Sequence, residues 1–582
     1  MSHPSLHRAF PLAWCMALLI VGCDSRKPPV GPAGRDVGPA RDADATILLA
    51  LENRQDAAQC RTILQQLDNY DAGVAGRLVL SDTERAEIST FLPLSEAEWN
   101  EITKRTFSLV DASYLEECLL VRSAVKSLGI DGLPPAERAA AAFDWVCRTV
   151  YLDDRVPWPA PPWMTLHGGC GVPMARTYAI LAAWQQLGLD GFVVGPEGLK
   201  SAPSYVPPDP RSGNFTHAEL RTMFKYAPVR ACGVKSGKDI LLFDPASGKA
   251  IPGLGGKGIA TLAQIRANPD EVKGLGPASE IKDWQVCLAP PLNGLARRME
   301  WLDQRNPGNV AVKLFVDVAA IRTRYLADAG PGATCDAWNP PADAFSATRI
   351  LALYAAQPAK EKAALPLRDQ HKFQLIPLDK LPTTILEGDA KANLWQQYVV
   401  RFQSLRYTSN SVRDHMLRGN FQEATALLTD VKAMADAART RAESDKSLQA
   451  DFDLWAQGLQ HVISDMLRAK EGRRGALPLA EAQQAYMTFM EDPRGRDVHR
   501  AYVMAQATRP LAAEALYLLA SCVHERAERA ALRGTATSGN WQNARDWWER
   551  YADAAAQTRG DFEARDRHAL SLAARCDERL RK

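Results

Sequence analysis

The chain has 582 residues, 46% of them hydrophobic and 24% charged, with 70 basic against 68 acidic side chains and a formal net charge of +2. That balance gives no electrostatic footprint for nucleic acid, so no nucleic-acid partner is expected, and the length predicts about three or four domains at ~150 residues each. Eleven cysteines without a CxxC or CxxxC pair argue against zinc sites of the paired-cysteine type, and the sequence offers no other metal or cofactor motif.

The first 23 residues form a processing signal. His7 and Arg8 close a short polar start, a mainly apolar run follows from Ala9 to Val21, and Gly22-Cys23 leads into Asp24-Ser25. The run is shorter than the ~20 apolar residues that span a bilayer and has the length of a secretory core. With its Ile20-Val21-Gly22-Cys23 exit it resembles a bacterial lipoprotein signal with its lipobox. The resemblance implies cleavage before Cys23, lipidation of its thiol, and a chain tethered in the cell envelope, facing the periplasm or the exterior. A diacylated cysteine supplies the two acyl chains that stable anchoring needs. Residues 25–45, punctuated by Pro and Gly without apolar periodicity, predict a disordered tether that reaches roughly 25 Å.

From Thr46 to Val150 the apolar residues recur near a 3.6 period (Ile63, Leu64, Leu67; Leu115, Leu119, Val125), which predicts helices. Pro134-Pro135 with Glu137 marks a helix start. The stretch around Trp158 and Trp163 reads as a loop packed by aromatics. Next, Met174, Tyr178 and Leu181 with Ala175, Ala179 and Ala182 predict a buried helix, and Gly188 is placed just past its end. Phe192–Val194 reads as a buried strand. Val229–Lys235 and Ile240–Phe243 read as a hairpin across a Ser236-Gly237 turn, ending in Asp244-Pro245.

This order of helix, glycine, strand, hairpin and Asp-Pro, over roughly Ala139 to Pro252, resembles the transglutaminase-like (papain-like) core. In that family a Gly-x-Cys opens the helix, a His opens the first hairpin strand and an Asp-Pro closes the second. The thiolate attacks an amide carbonyl, the His moves the proton and the Asp fixes the imidazole tautomer. Counting back from Leu187-Gly188 puts the family's Gly-x-Cys on Gly171-Val172-Pro173, so the nucleophile position is proline. The histidine position falls near Arg230 or Ala231, and Asp244 alone is retained. A displaced set in the family's chain order remains open: Cys170 in the Gly168-Gly169-Cys170-Gly171 loop, His217 and Asp244.

From about Leu292 the chain reads as mainly helical and Ala-rich, and Pro366, Pro377 and Pro382 mark a linker within 365–386. Gly419-Asn420-Phe421-Gln422-Glu423-Ala424 finds an echo in Gly539-Asn540-Trp541-Gln542-Asn543-Ala544. The shared pattern resembles the helix-turn-helix junction of tetratricopeptide repeats, though the 120-residue interval excludes a uniform array. Trp547, Trp548 and Tyr551 read as packing between helices.

The expected fold is therefore α+β: a helical N-terminal part, a transglutaminase-like helix-plus-antiparallel-sheet core and an all-α repeat-like C-terminal domain. The expected boundaries are a signal peptide over 1–22, a tether over 23–45, a helical lead-in and transglutaminase-like domain over 46–290, a connector over 291–386 and a tetratricopeptide-like domain over 387–582. Two functions fit. One is an envelope scaffold that binds a protein or peptide on its C-terminal helices, with the lipid on Cys23 as its membrane contact. The other is a cysteine acyltransferase or peptidase on envelope protein or peptidoglycan amides.

Overall fold

A computed structural model describes residues 57–70, 80–153, 161–196, 230–337, 412–429, 493–556 and 563–581, apart from short stretches inside these ranges, with a few positions between 478 and 488. Cys23 with the signal and tether, Trp158, His217 and the 365–386 linker lie outside the described residues. The chain combines helix and sheet, and its C-terminal part is helical. Among the described residues no helix is long and apolar enough to cross a membrane.

In chain order the helices α1 (Ala57–Tyr70), α2 (Asp82–Ser89), α3 (Glu96–Ile102), α4 (Leu109–Leu128) and α5 (Pro135–Thr149) precede strand β1 (Tyr151–Leu152). Helix α6 (Pro162–Gly168), strand β2 (Cys170–Gly171), helix α7 (Pro173–Gln186) and strands β3 (Gly191–Gly195), β4 (Ala231–Ser236), β5 (Asp239–Asp244) and β6 (Lys249–Ala250) follow. Then come α8 (Leu262–Ala267), α9 (Ala278–Lys282), β7 (Gln285–Leu288), α10 (Arg297–Arg305), α11 (Val318–Ala329) and β8 (Cys335–Ala337). Helices α12 (412–417) and α13 (421–429) lead towards α14 (Pro493–Leu532), α15 (Ser538–Ala556) and α16 (Glu563–Arg581).

These elements divide into two compact units, one of residues up to Leu119 with Pro290–Ala319, the other of Leu120–Ala289 with the residues from Ala320 onward. In the first, Ser81 and Glu84 form a reciprocal capping box that starts α2. Its centre is Arg298 on α10, fully buried, which bonds Asp111 through Nε at 2.7 Å and Nη2 at 2.9 Å and the Glu101 carbonyl through Nη1 at 2.9 Å. Asn293 donates to the same Asp111 at 2.8 Å. A buried guanidinium is tolerated when its donors are matched in this way.

The second unit holds a six-stranded sheet in the order β6-β5-β4-β3-β7-β8. The expected strands β3, β4 and β5 are antiparallel neighbours, with Val193 opposite Cys232 and Cys232 opposite Phe243. Strands β7 and β8, parallel to each other, extend the sheet beyond β3. Helix α7 lies on this sheet. Its Tyr178 and Leu181 pack with Met174 against Val193 and Cys287, while the more deeply buried Ala179, Ile180, Ala183 and Trp184 join α5 and the hairpin through Phe143, Val146, Val234 and Phe243. Trp184 Nε1 donates to the Ala139 carbonyl at 3.0 Å, which satisfies the one polar atom of a fully buried ring.

The aromatic stretch expected as a loop contains the seven-residue helix α6, which Pro162 suits as a first helical residue and Gly169 ends at φ +63°. Both junction echoes place their aromatic and alanine in the core, Phe421 with Ala424 and Trp541 with Ala544. Their glycines differ: Gly419 sits at φ +82° between α12 and α13, whereas Gly539 is already inside α15 and Gly534 makes the left-handed turn. Trp548 and Tyr551 are buried. All nine described cysteines are free thiols.

Candidate functional site

The start of α7 is where the resemblance would seat a nucleophile. Pro173 occupies the first turn after Val172, with no side-chain cap. One turn on, Arg176 is buried and reaches across the core. Its Nη1 donates to the Pro245 carbonyl at 2.8 Å and its Nη2 to the Val150 carbonyl. The arginine thereby ties α7 to the end of β5 and to the end of α5. Asp244 closes β5 as expected, and its Oδ1 accepts from the Ala246 amide at 2.8 Å, an Asx-type turn bond. Arg230 precedes β4 and pairs with Glu280 at 3.1 Å.

Cys170 stands apart from this cluster. It pairs in β2 with Tyr151 of β1, the two strands running parallel. Burial pushes its thiol pKa up, against the opposing field of Arg413 and a Tyr151 hydrogen bond. Asp244 instead bears on Cys147, Arg176 and Cys232. His167, near the end of α6, lies 3.4 Å from Asp414 through Nε2. With His217 outside the described residues, the described part of the set is Cys170 and Asp244, each in its own surroundings.

The C-terminal helices supply groups that periodicity in the sequence did not reveal. Tyr517 of α14 stacks edge-on against Tyr151, ring centroids 6.1 Å apart. Its hydroxyl lies 2.8 Å from His568 Nδ1, and His568 Nε2 lies 3.1 Å from the Cys147 carbonyl. A carbonyl only accepts, so the proton sits on Nε2 and Tyr517 donates to Nδ1. Burial drives the His568 pKa down to about 3, so the ring is neutral at physiological pH.

Charges join α5 to the same helices. Arg148 bonds Glu525 through Nε at 2.6 Å and Nη2 at 3.3 Å, and pairs with Asp144. Arg575 bonds Asp144 at 2.7 and 2.6 Å and also holds Glu528. Burial alone would raise the Glu528 pKa, but the approach of His524 and the charges of Arg148 and Arg575 hold it well below the usual carboxylate range.

Within that layer a thiol, an imidazole and a carboxylate do line up. Cys576 Sγ and Trp548 Nε1 each lie 3.3 Å from His524 Nδ1, and His524 Nε2 lies 3.7 Å from Glu528 Oε1. Because the indole N–H only donates, Nδ1 is the acceptor and the ring proton faces Glu528. The order is that of a nucleophile, a base and an orienting acid. Burial opposes the chemistry: Cys576 is 0% exposed and its thiol is pushed up to about 12, so it stays protonated and out of reach of a substrate. The constellation is a buried polar network. His524 and Glu528 stand one turn apart on α14, but Cys576 comes from α16, 52 positions beyond His524, so no local pattern announces the three together.

Among the described residues no group of three or more His, Cys, Asp or Glu side chains is placed to hold a metal ion. Comparison with known proteins returns no matching family, no similar curated protein and no similar solved structure.

Proposed function

We propose that the protein is an envelope lipoprotein, tethered through Cys23, that works as a scaffold or binding module. In this reading a transglutaminase-like core without the family's chemistry is joined to C-terminal helices that take a protein or peptide partner. The observation that carries the reading is the start of α7. Pro173 stands at the position where the resemblance expects the nucleophile, and the neighbouring Arg176 binds the backbone carbonyls of Pro245 and Val150. Asp244 serves its own turn through the Ala246 amide. A proline at the first helical position keeps the helix and offers no nucleophile. The tether reading rests on the Ile20-Val21-Gly22-Cys23 exit.

Two measurements test it. Labelled fatty acid should enter the wild type and not Cys23→Ser, which should accumulate unprocessed or soluble; a variant still carrying labelled acyl chains removes the anchor. An electrophilic thiol probe at neutral pH should label wild type and Cys170→Ala alike. Labelling and amide turnover lost together in Cys170→Ala and His217→Ala, with the fold intact, would instead establish the cysteine acyltransferase or peptidase built on Cys170, His217 and Asp244.

A further inference from the structure

Two buried phenols stand at the centre of the C-terminal helices. Tyr517 of α14 and Tyr551 of α15 are each 1% exposed, and their rings meet edge-on with centroids 5.5 Å apart. Trp548 stands against both, at 5.6 and 6.3 Å. Such spacings are those of aromatic core packing. What packing alone does not require is that each phenol is aimed at a base of its own. Tyr517 donates to His568 Nδ1 at 2.8 Å, and Tyr551 donates to Asp566 Oδ1 at 2.5 Å.

The His568 ring is held in place from behind. Its Nε2–H is taken by the Cys147 carbonyl, so Nδ1 keeps its lone pair towards Tyr517. Both distances are short enough for a proton to be handed across directly. Arg565 adds a constraint: its Nε donates to the Tyr551 oxygen at 2.9 Å, and its guanidinium lies 5.6 Å over each of the two rings. A phenol that loses an electron becomes a strong acid, and a fixed cation beside the ring opposes an oxidised ring that keeps its proton. Electron loss is therefore favoured only where the proton leaves with it. Here each proton has an acceptor already in line.

We propose that Tyr517 and Tyr551 are a redox-active tyrosine pair, which takes up one oxidising equivalent inside the C-terminal helices. A one-electron oxidant, such as a high-potential metal complex or a peroxyl radical, removes one electron from the pair. The O–H bond of the oxidised ring breaks, and its proton forms an N–H bond at His568 Nδ1 or an O–H bond at Asp566 Oδ1. A neutral phenoxyl radical is left beside an imidazolium or a carboxylic acid. A one-electron reductant reverses the step, and the same proton returns to the phenol oxygen. The edge-on contact lets the radical pass between the two rings. The proposal stands apart from the scaffold reading and from Cys170.

The test oxidises the purified full chain with a photoexcited ruthenium polypyridyl complex and an irreversible electron acceptor, then reads the trapped radical by electron paramagnetic resonance. The chain has 14 tyrosines, so the signal of the pair is separated by adding ascorbate, which reduces exposed phenoxyl radicals first. A tyrosyl signal that outlasts ascorbate should appear in the wild type. Tyr517→Phe/Tyr551→Phe should lose that protected signal while keeping its far-ultraviolet circular dichroism. Should the double variant fail to fold, Asp566→Asn, at a half-buried position, keeps the hydrogen-bond acceptor but removes the base, and should lower the yield of the protected radical. The proposal is overturned if ascorbate erases the whole wild-type signal at once. It is overturned equally if the double variant keeps the protected signal, or if Asp566→Asn gives the wild-type yield.

Discussion

Two regions of the second unit hold their elements together by opposite means. At the start of α7 a proline, apolar packing and one arginine bonded to two carbonyls lock the helix to the sheet. Where α5 meets α14 and α16, Arg148, Asp144, Glu525, Glu528 and Arg575 form a continuous ionic cluster. The difference separates two demands. The first end needs only geometry, and backbone carbonyls fix it without regard to pH. The second joins segments about 400 residues apart in the chain, and charges give that pairing a register that apolar contacts alone do not specify.

The largest effect is expected from breaking the charged cluster. Arg148→Met leaves Glu525 without its bidentate partner in a buried setting, and removing one member of a buried pair costs about 3–5 kcal/mol. Urea unfolding of wild type and variant measures it. A loss below about 1 kcal/mol, the range of exposed pairs, would show that the two regions do not differ in kind.

Acid sharpens the comparison next, because His568 and Glu528, both held below their ordinary pKa values, lie in the charged region. His568 has its folded pKa lowered from 6.5 to about 3. The unfolded chain therefore binds the proton first, so stability is whole above about pH 6.5 and falls as pH drops towards 3. The slope has an upper bound of about 1.4 kcal/mol per pH unit for one group, and the partial exposure of the residue lowers it. Glu528, held below its ordinary value, adds loss in the same direction below about pH 4.5. His568→Gln should flatten the decline between pH 6 and 5, where Glu528 does not yet contribute. An unchanged slope would mean that the imidazole is not held neutral.

Removing the arginine clamp of the other region should have a smaller effect. Arg176→Met leaves the Pro245 and Val150 carbonyls without their donor, at about 1–3 kcal/mol. That loss should be the same at pH 5 and pH 8, because carbonyls do not titrate; a pH-dependent loss would show that the clamp is coupled to Asp244.

The fold around α7 was legible because local rules set it. The Met174/Tyr178/Leu181 spacing, Gly188 at φ +68° and the Gly237 turn are written within a few residues of each element. The two-residue strands β1 and β2 were not, since their pairing depends on Tyr151 meeting Cys170 across an intervening helix. The site was less legible still. Cys170 and Asp244 could be named from chain order, yet the residues that surround Cys170, among them Arg413 and Glu514, come from elements more than 240 positions away. Their charges carry no periodic signal, because one buried arginine in a helix reads like any solvated one until its neighbours are known.

The smallest effect concerns the residue that separates the two functional readings. Pro173→Cys removes a ring from a first-turn position whose amide needs no helical partner, so the change in stability should stay within about 1 kcal/mol. Its chemistry should nonetheless be distinct. A thiol on the first turn of α7 meets unpaired amides and the positive end of the helix, both of which lower a thiol pKa. Burial instead raises that of Cys170. Competitive alkylation at pH 7 followed by mass spectrometry should modify the introduced thiol faster than Cys170. No amide turnover should accompany it, since Arg230 and Ala231 offer no imidazole and Asp244 is bonded to its own turn. Faster modification at Cys170 would place the reactive centre in the β1–β2 loop. Turnover gained by Pro173→Cys and lost again in Pro173→Cys/His217→Ala would show that the base of the family's mechanism is still in place and that proline alone had silenced it.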